Sequence, residues 1–202
     1  MVADKTEEKS MKLGVLASQG AFAEHIAVLK KLGVEALPVR LPRQLAGLDG
    51  LIIPGGESTT ISKLMKDYNL VSGIVQLAEE GKPIFGSCAG MILLAKEIPG
   101  SKVEPLGLMD ITVRRNAFGR QNESFETEIS IPVLGEKPFH AVFIRAPLIE
   151  SVNGTTEILA KLDDGTAVAA KQDKILVSAF HPELTDDLRF HQYFLDMISG
   201  EK

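Results

Sequence analysis

The sequence predicts an α/β protein: a three-layer, mostly parallel sheet flanked by helices, with a sheet-rich extension. Three observations predict it. In the first half, short apolar runs alternate with amphipathic stretches at helical spacing, a rhythm that implies parallel strands joined by crossover helices. Near the middle, Pro83-Ile84-Phe85 leads through Gly86-Ser87-Cys88-Ala89-Gly90 into the helix-forming run Met91 to Ala95, the pattern of a sharp strand-to-helix turn. After Pro99 the segments become short and strand-like and are separated by hairpin signals.

Taken in order, Lys12 to Ala17 reads as a buried strand and Ser18-Gln19-Gly20 as a turn. Phe22 to Leu32 carries Phe22, Ile26, Leu29 and Leu32 near helical spacing, with Glu24, Lys30 and Lys31 opposite, and Gly33 ends it. Val34 to Val39 and the apolar run Leu48 to Ile53 are the second and third strands. Pro54-Gly55-Gly56-Glu57-Ser58-Thr59-Thr60 follows directly, its Ser and Thr positioned to cap the next helix. Such a loop at a strand's carboxyl end exposes backbone amides where open α/β sheets bind ligands, or it is a plain strand-to-helix turn. It lacks the Lys and spacing of a phosphate-binding P-loop. Helices are predicted over Ile61 to Tyr68 and Val71 to Glu80. Beyond Pro99, strands are predicted over Ile111 to Arg115, Phe125 to Ile131, Phe139 to Ile144, Ile158 to Leu162, Thr166 to Lys171 and Lys174 to Phe180. Asp163-Asp164-Gly165 and Gln172-Asp173 mark hairpins. Asp186 to Ile198 is the closing helix, with Leu188, Tyr193, Leu195 and Ile198 as its expected core contacts.

Composition bounds the function. The 202 residues are 45% hydrophobic and 24% charged, which suits one folded domain over residues 11–202 behind a polar, flexible extension over 1–10. Cys88 is the only cysteine, so no internal disulfide forms and a reducing compartment, the cytoplasm, is expected. No run approaches membrane-spanning length, and no signal peptide is expected. A net charge of −5 argues against a broad nucleic-acid surface while leaving room for a local anion pocket.

A lone cysteine in an apolar segment is either a small buried hydrophobe or a nucleophile. The glycines two residues either side strengthen the second without deciding between them, because a strained elbow leaves no space for larger neighbours. A helix start favours the thiolate through its free amides and dipole. Among the histidines, His25 and His191 fall within helical patterns and read as surface or packing residues, and His140 is ambiguous. His181 ends a strand, followed by Pro182 and Glu183. Proline restricts His181 to extended geometry, and residues two apart in an extended segment face the same side. Metal binding is not expected, since one Cys and scattered His lack zinc-site spacing. The elbow, the Gly55-Gly56 loop and His181-Pro182-Glu183 can share the carboxyl edge of one sheet, supplying nucleophile, oxyanion amides, base and orienting acid.

With these segments the chain resembles the class I (triad) glutamine amidotransferase family. Gly86-Ser87-Cys88-Ala89-Gly90 matches its nucleophile motif and His181-Pro182-Glu183 its base and acid. Gly14 to Ala21, Pro54 to Thr60, Arg114 to Gln121 and Phe180 to Thr185 are similar to the branch of that family that serves as glutaminase subunits of pyridoxal 5′-phosphate synthases. The resemblance implies hydrolysis of L-glutamine to glutamate and ammonia by Cys88, His181 and Glu183, without a cofactor. It implies an oxyanion hole from the Ala89 amide and an amide of Gly55 or Gly56. It implies a glutamine grip from Gly56, Glu57, Ser58, Arg115, Ile144 and Arg145. It further implies a (β/α)8-barrel pyridoxal 5′-phosphate synthase partner that receives the ammonia, in an assembly of twelve of each subunit. The alternatives are a glutaminase serving another synthase, a stand-alone cysteine hydrolase and a catalytically silent partner-binding subunit.

Overall fold

The computed structural model describes residues 11–116 and 124–201. The chain opens with β1 (Lys12–Leu16), α1 (Phe22–Lys31), β2 (Glu35–Val39) and β3 (Gly50–Ile53). Next come α2 (Ser58–Asp67), α3 (Val71–Glu79), β4 (Ile84–Ser87) and α4 (Ala89–Leu94). The second half holds β5 (Ala95–Glu97), β6 (Met109–Arg114), β7 (Ser124–Ile129), β8 (Phe139–Ile144), β9 (Leu148–Val152), β10 (Glu157–Lys161), β11 (Ala167–Gln172) and β12 (Ile175–Ser178). A 3-10 turn over Pro182–Leu184 and the helix α5 (Arg189–Ser199) close it.

The main sheet has ten strands in the order β2-β1-β3-β4-β12-β11-β9-β6-β5, with β10 on β11. From β2 to β12 every pairing is parallel. From β12 to β6 the pairings are antiparallel, and β7 with β8 forms a separate antiparallel ribbon. Both predicted hairpin turns join antiparallel neighbours, β10 to β11 and β11 to β12. β4 lies between β3 and β12, so the loops after these three strands emerge side by side.

Side-chain alternation along β4 separates the layers. Phe85 and Ser87 face α1 and α5: the Phe85 ring meets His25, Phe190 and Phe194, and Ser87 hydrogen-bonds to His25. Gly86, between them, faces α4, where a Cβ would lie 2.6 Å from the Gly90 carbonyl carbon. Phe139, Phe180 and Phe190 extend the ring cluster beneath the site. Each fully buried ring contributes about 1.5–3 kcal/mol by leaving water.

Two strands were not predicted. β5 follows α4 without a break and has only three residues, and β9 interrupts its apolar pattern with Glu150 and Ser151. The closing helix starts at Arg189 rather than Asp186, because Asp187 accepts the Arg189 amide at 3.1 Å and caps it from outside. Its inward face is built on Phe190, Phe194 and Met197, with Tyr193 and Leu195 also buried, while Leu188 and Ile198 are only partly so. No helix among the described residues is long and apolar enough to cross a membrane.

Candidate active site

Cys88 sits between β4 and α4 with φ 48° and ψ −102°, a conformation a residue with a Cβ adopts only when its surroundings impose it. Its amide donates to the Ser178 carbonyl of β12 at 2.7 Å. The glycines make the elbow possible. A Cβ on Gly90 would lie 2.0 Å from the Ile53 carbonyl oxygen, and one on Gly86 2.7 Å from the Gly90 oxygen. Cys88 is nearly buried, and its thiol lies 3.8 Å from the Ile144 carbonyl.

His181 leaves β12 with its amide donating to the Val142 carbonyl of β8 at 2.8 Å. Its Nδ1–H donates to Glu183 Oε1 at 2.7 Å, and both residues are buried. The predicted pairing is present, but the geometry differs: Pro182–Leu184 is a 3-10 turn, not an extended segment. The turn folds the carboxylate back beneath the imidazole. Burial opposes a charge on His181, but hydrogen bonding and charge interaction with Cys88 and Glu183 outweigh it and raise its pKa to about 10. Burial likewise opposes charge on Glu183, and the His25 ring beside it and the bond from His181 hold its carboxyl below the usual range.

Ala89 is the first residue of α4, where a helix amide has no carbonyl one turn back to bond. The Gly55 amide is committed elsewhere, donating to Ser87 Oγ at 3.1 Å. The Gly55 carbonyl accepts from the Ala21 amide at 3.0 Å, which turns the Gly56 N–H the opposite way across the planar peptide. Gly55 packs on the other two components: a Cβ there would lie 2.3 Å from His181 Cε1 and 3.3 Å from Cys88 Cβ.

The residues expected to grip substrate surround this point unevenly. Glu57, rather than Ser58 or a Thr, is the cap of α2, accepting the Thr59 and Thr60 amides at 3.0 and 2.7 Å. Partial burial works against its charge, and the bonds from Thr60 and Thr59 outweigh it and lower its pKa to about 2. Ser58 is buried as the first residue of α2. Arg115 donates to Ser101 Oγ at 3.2 Å and reaches Glu57 Oε1 at 3.5 Å, so the two expected binding residues meet. Ile144 is exposed beside Cys88, and Arg145 follows it with φ 44°, a second strained position at this edge. Ala117 to Gln121, part of the motif after Arg115, lie outside the described residues. His140 is partly exposed on β8 between Glu126 and Glu128, at 2.8 Å from each. Among the described residues no group of three or more His, Cys, Asp or Glu could hold a metal ion.

Three polar residues beside the site were missed. His25 and His191 are fully buried, the packing alternative of the two, and their contact with the site was not foreseen. His25 Nε2 lies 3.0 Å from Ser87 Oγ and 3.3 Å from Glu183 Oε2, and its Nδ1 lies 2.9 Å from His191 Nε2. The signal was present for His25, which stands three residues after Phe22 and four before Leu29 on the apolar stripe of α1. Ser87, inside the nucleophile motif, carried no separate signal.

A cysteine at a strand-to-helix elbow, with an imidazole and buried carboxylate on the same parallel-sheet edge, is an arrangement used in acyl transfer. A profile of the SNO glutamine amidotransferase family matches residues 15–200. The chain belongs to this family and is a glutamine amidotransferase of class I-like α/β fold. It is 63% identical over 190 residues, 93% of this chain and 100% of the relative, to the pyridoxal 5′-phosphate synthase subunit PdxT of Herpetosiphon aurantiacus. With the subunit of the same name from Carboxydothermus hydrogenoformans it shares 57% identity over 93% of this chain and 98% of the relative. A crystal structure of a glutamine amidotransferase superimposes with a TM-score of 0.87 at 49% identity, covering 93% of this chain and 98% of that one.

Proposed function

We propose that this chain is the glutaminase subunit of a pyridoxal 5′-phosphate synthase, using Cys88, His181 and Glu183 to release ammonia from L-glutamine for a (β/α)8-barrel synthase subunit. The observation that carries the reading is the buried His181–Glu183 pair bonded at 2.7 Å with Cys88 on the imidazole's other side. An imidazole raised to about 10 is protonated at neutral pH and so holds a proton ready for a departing nitrogen.

The steps follow from this pairing. The Cys88 thiolate attacks the glutamine side-chain carbonyl carbon, and the negative charge that develops on oxygen is met by the amides of Ala89 and Gly56. Gly55 contributes differently from its expected part: its amide holds Ser87, and its missing side chain leaves room for the imidazole. The imidazolium of His181 gives its proton to the departing nitrogen as the carbon–nitrogen bond breaks, leaving a glutamyl thioester and ammonia. His181 then takes a proton from water, the resulting hydroxide displaces the thiolate, and glutamate leaves. Glu183 holds the imidazole in orientation and stabilises its charged form. Arg115, near Glu57 at the rim, and Arg145 beside Ile144 are the cations suited to the amino acid's carboxylate.

The test is glutamate formation from glutamine with and without the barrel synthase. The expected result is activity that rises when the synthase is added and is absent in Cys88→Ala. Activity indifferent to the synthase would count against the proposed partner, and activity surviving in Cys88→Ala against the proposed chemistry. An assembly of twelve subunits of each kind is the stoichiometry expected on mixing, checked by the mass of the complex.

A further inference from the structure

Behind the triad lies a second polar layer made of Ser87, His25 and His191, with no access to solvent. Glu183 Oε1 accepts from His181, but Oε2 is buried without a well-formed hydrogen bond among the described residues. The polar atom against it is His25 Nε2, at 3.3 Å. A buried carboxylate oxygen is stabilised only by a hydrogen atom facing it, since a nitrogen lone pair there would add repulsion to lost solvation.

Two proton arrangements are possible for the neutral pair. If His25 carries its proton on Nδ1, that proton must go to His191 Nε2, and His191 must then carry its own on Nδ1. His191 Nδ1 has no partner among the described residues, so this arrangement buries an orphan N–H and also aims a lone pair of His25 at Glu183. If His25 carries its proton on Nε2, the proton points to Ser87 Oγ and lies against Glu183 Oε2. His191 then donates its Nε2–H to His25 Nδ1 at 2.9 Å, and the unpartnered atom is an acceptor. An unsatisfied acceptor is less costly than a buried orphan donor. Burial keeps both rings neutral, His25 below its ordinary value and His191 down to about 3. The charged groups facing His25 are Glu183, His181 and Glu24.

We propose that His25 is a positioning residue for the triad, its Nε2–H tautomer set by His191, holding Glu183 from behind and tying it through Ser87 to the Gly55 amide. This rests on the triad reading above. Through Ser87 the same ring touches the loop that carries Gly56, so the acid and the oxyanion loop share one buried anchor. Glutamine does not meet His25, and no proton of the reaction passes through it.

Long-range proton–nitrogen NMR on histidine-labelled wild-type protein reads the tautomers directly. Neutral His25 and His191, each protonated on Nε2, is the expected result, while a proton on His25 Nδ1 or a charged His25 ring at neutral pH overturns the proposal. In the glutaminase assay with the synthase present, His25→Leu is expected to lower kcat about tenfold or more. KM for glutamine should stay within about twofold and the acid limb of the pH profile should move upward, because Glu183 loses a group that favours its charge. His25→Gln, whose amide nitrogen reaches about as far as Nε2, should restore most of the loss. Wild-type kcat and pH profile in folded His25→Leu overturns the proposal, and where that variant does not fold the wild-type tautomers decide. Cys88→Ala, run alongside, separates the two claims: activity in that variant would mean the triad reading failed, not the placement of His25.

Discussion

Gly55→Ala tests the geometry of the site with a single methyl group. Gly55 is not among the residues with positive φ, so alanine suits the backbone and the effect is confined to what the new Cβ meets. It would lie 2.3 Å from His181 Cε1, 2.9 Å from Nδ1 and 3.3 Å from Cys88 Cβ. Ordinary contact begins near 3.4 Å, so the imidazole must move by about 1 Å, away from a position set by its 2.7 Å bond to Glu183. A misplacement of about 1 Å costs catalysis on the order of 100-fold. Strain shared between one ring and one loop costs about 1–3 kcal/mol of stability, within the overpacking range. The assay is glutamate release at saturating glutamine with the synthase present, with thermal unfolding as the control. The expected outcome is a folded protein whose kcat falls about 100-fold while KM changes little. A folded Gly55→Ala variant with wild-type kcat would refute the placement of His181 as the group that serves Cys88.

Two further outcomes follow from the same site. Gly90→Ala should destabilise the fold by about 3 kcal/mol or prevent its accumulation, because its Cβ would lie 2.0 Å from the Ile53 carbonyl oxygen in the neighbouring strand, and denaturant midpoints measure this. His181, with a folded value of about 10 against an ordinary 6.5, should contribute stability that is complete below about pH 6.5 and lost as pH rises towards 10. Cys88→Ala removes one of the two partners that hold its proton, so the NMR titration of His181 should move to lower pH in that variant. An unchanged titration would contradict the Cys88–His181 pairing.

The parts of this site that were legible in the sequence are those where backbone geometry restricts residue type. The Cys88 elbow forces Gly86 and Gly90 because main-chain atoms stand where a Cβ would be, and the short strands around it bury both faces, so they read as apolar runs. His181 and Glu183 were found through their position at the end of such a strand. Their contact was inferred from extended alternation, whereas a 3-10 turn makes it, since local spacing constrains which residues are near each other more firmly than the path between them. An amide of Gly55 or Gly56 was expected to face the oxyanion, and it was not possible to foresee Ser87 Oγ taking the Gly55 amide, because that bond joins residues 32 apart. His25 and His191 meet across 166 residues. A helix pattern reports which face is inward but not which polar group waits there, and β9 was hidden because its half-exposed strand carries polar residues on consecutive positions.

The central claim is that Cys88 carries the glutamyl group as a thioester. The direct measurement is acid quenching of the chain, mixed with its synthase and isotopically labelled glutamine, followed by mass analysis of the peptide containing residue 88. A labelled glutamyl adduct on Cys88 is expected in the wild type, and neither adduct nor glutamate in Cys88→Ala. Steady glutamate formation by Cys88→Ala, or a labelled adduct on any other residue, would contradict it.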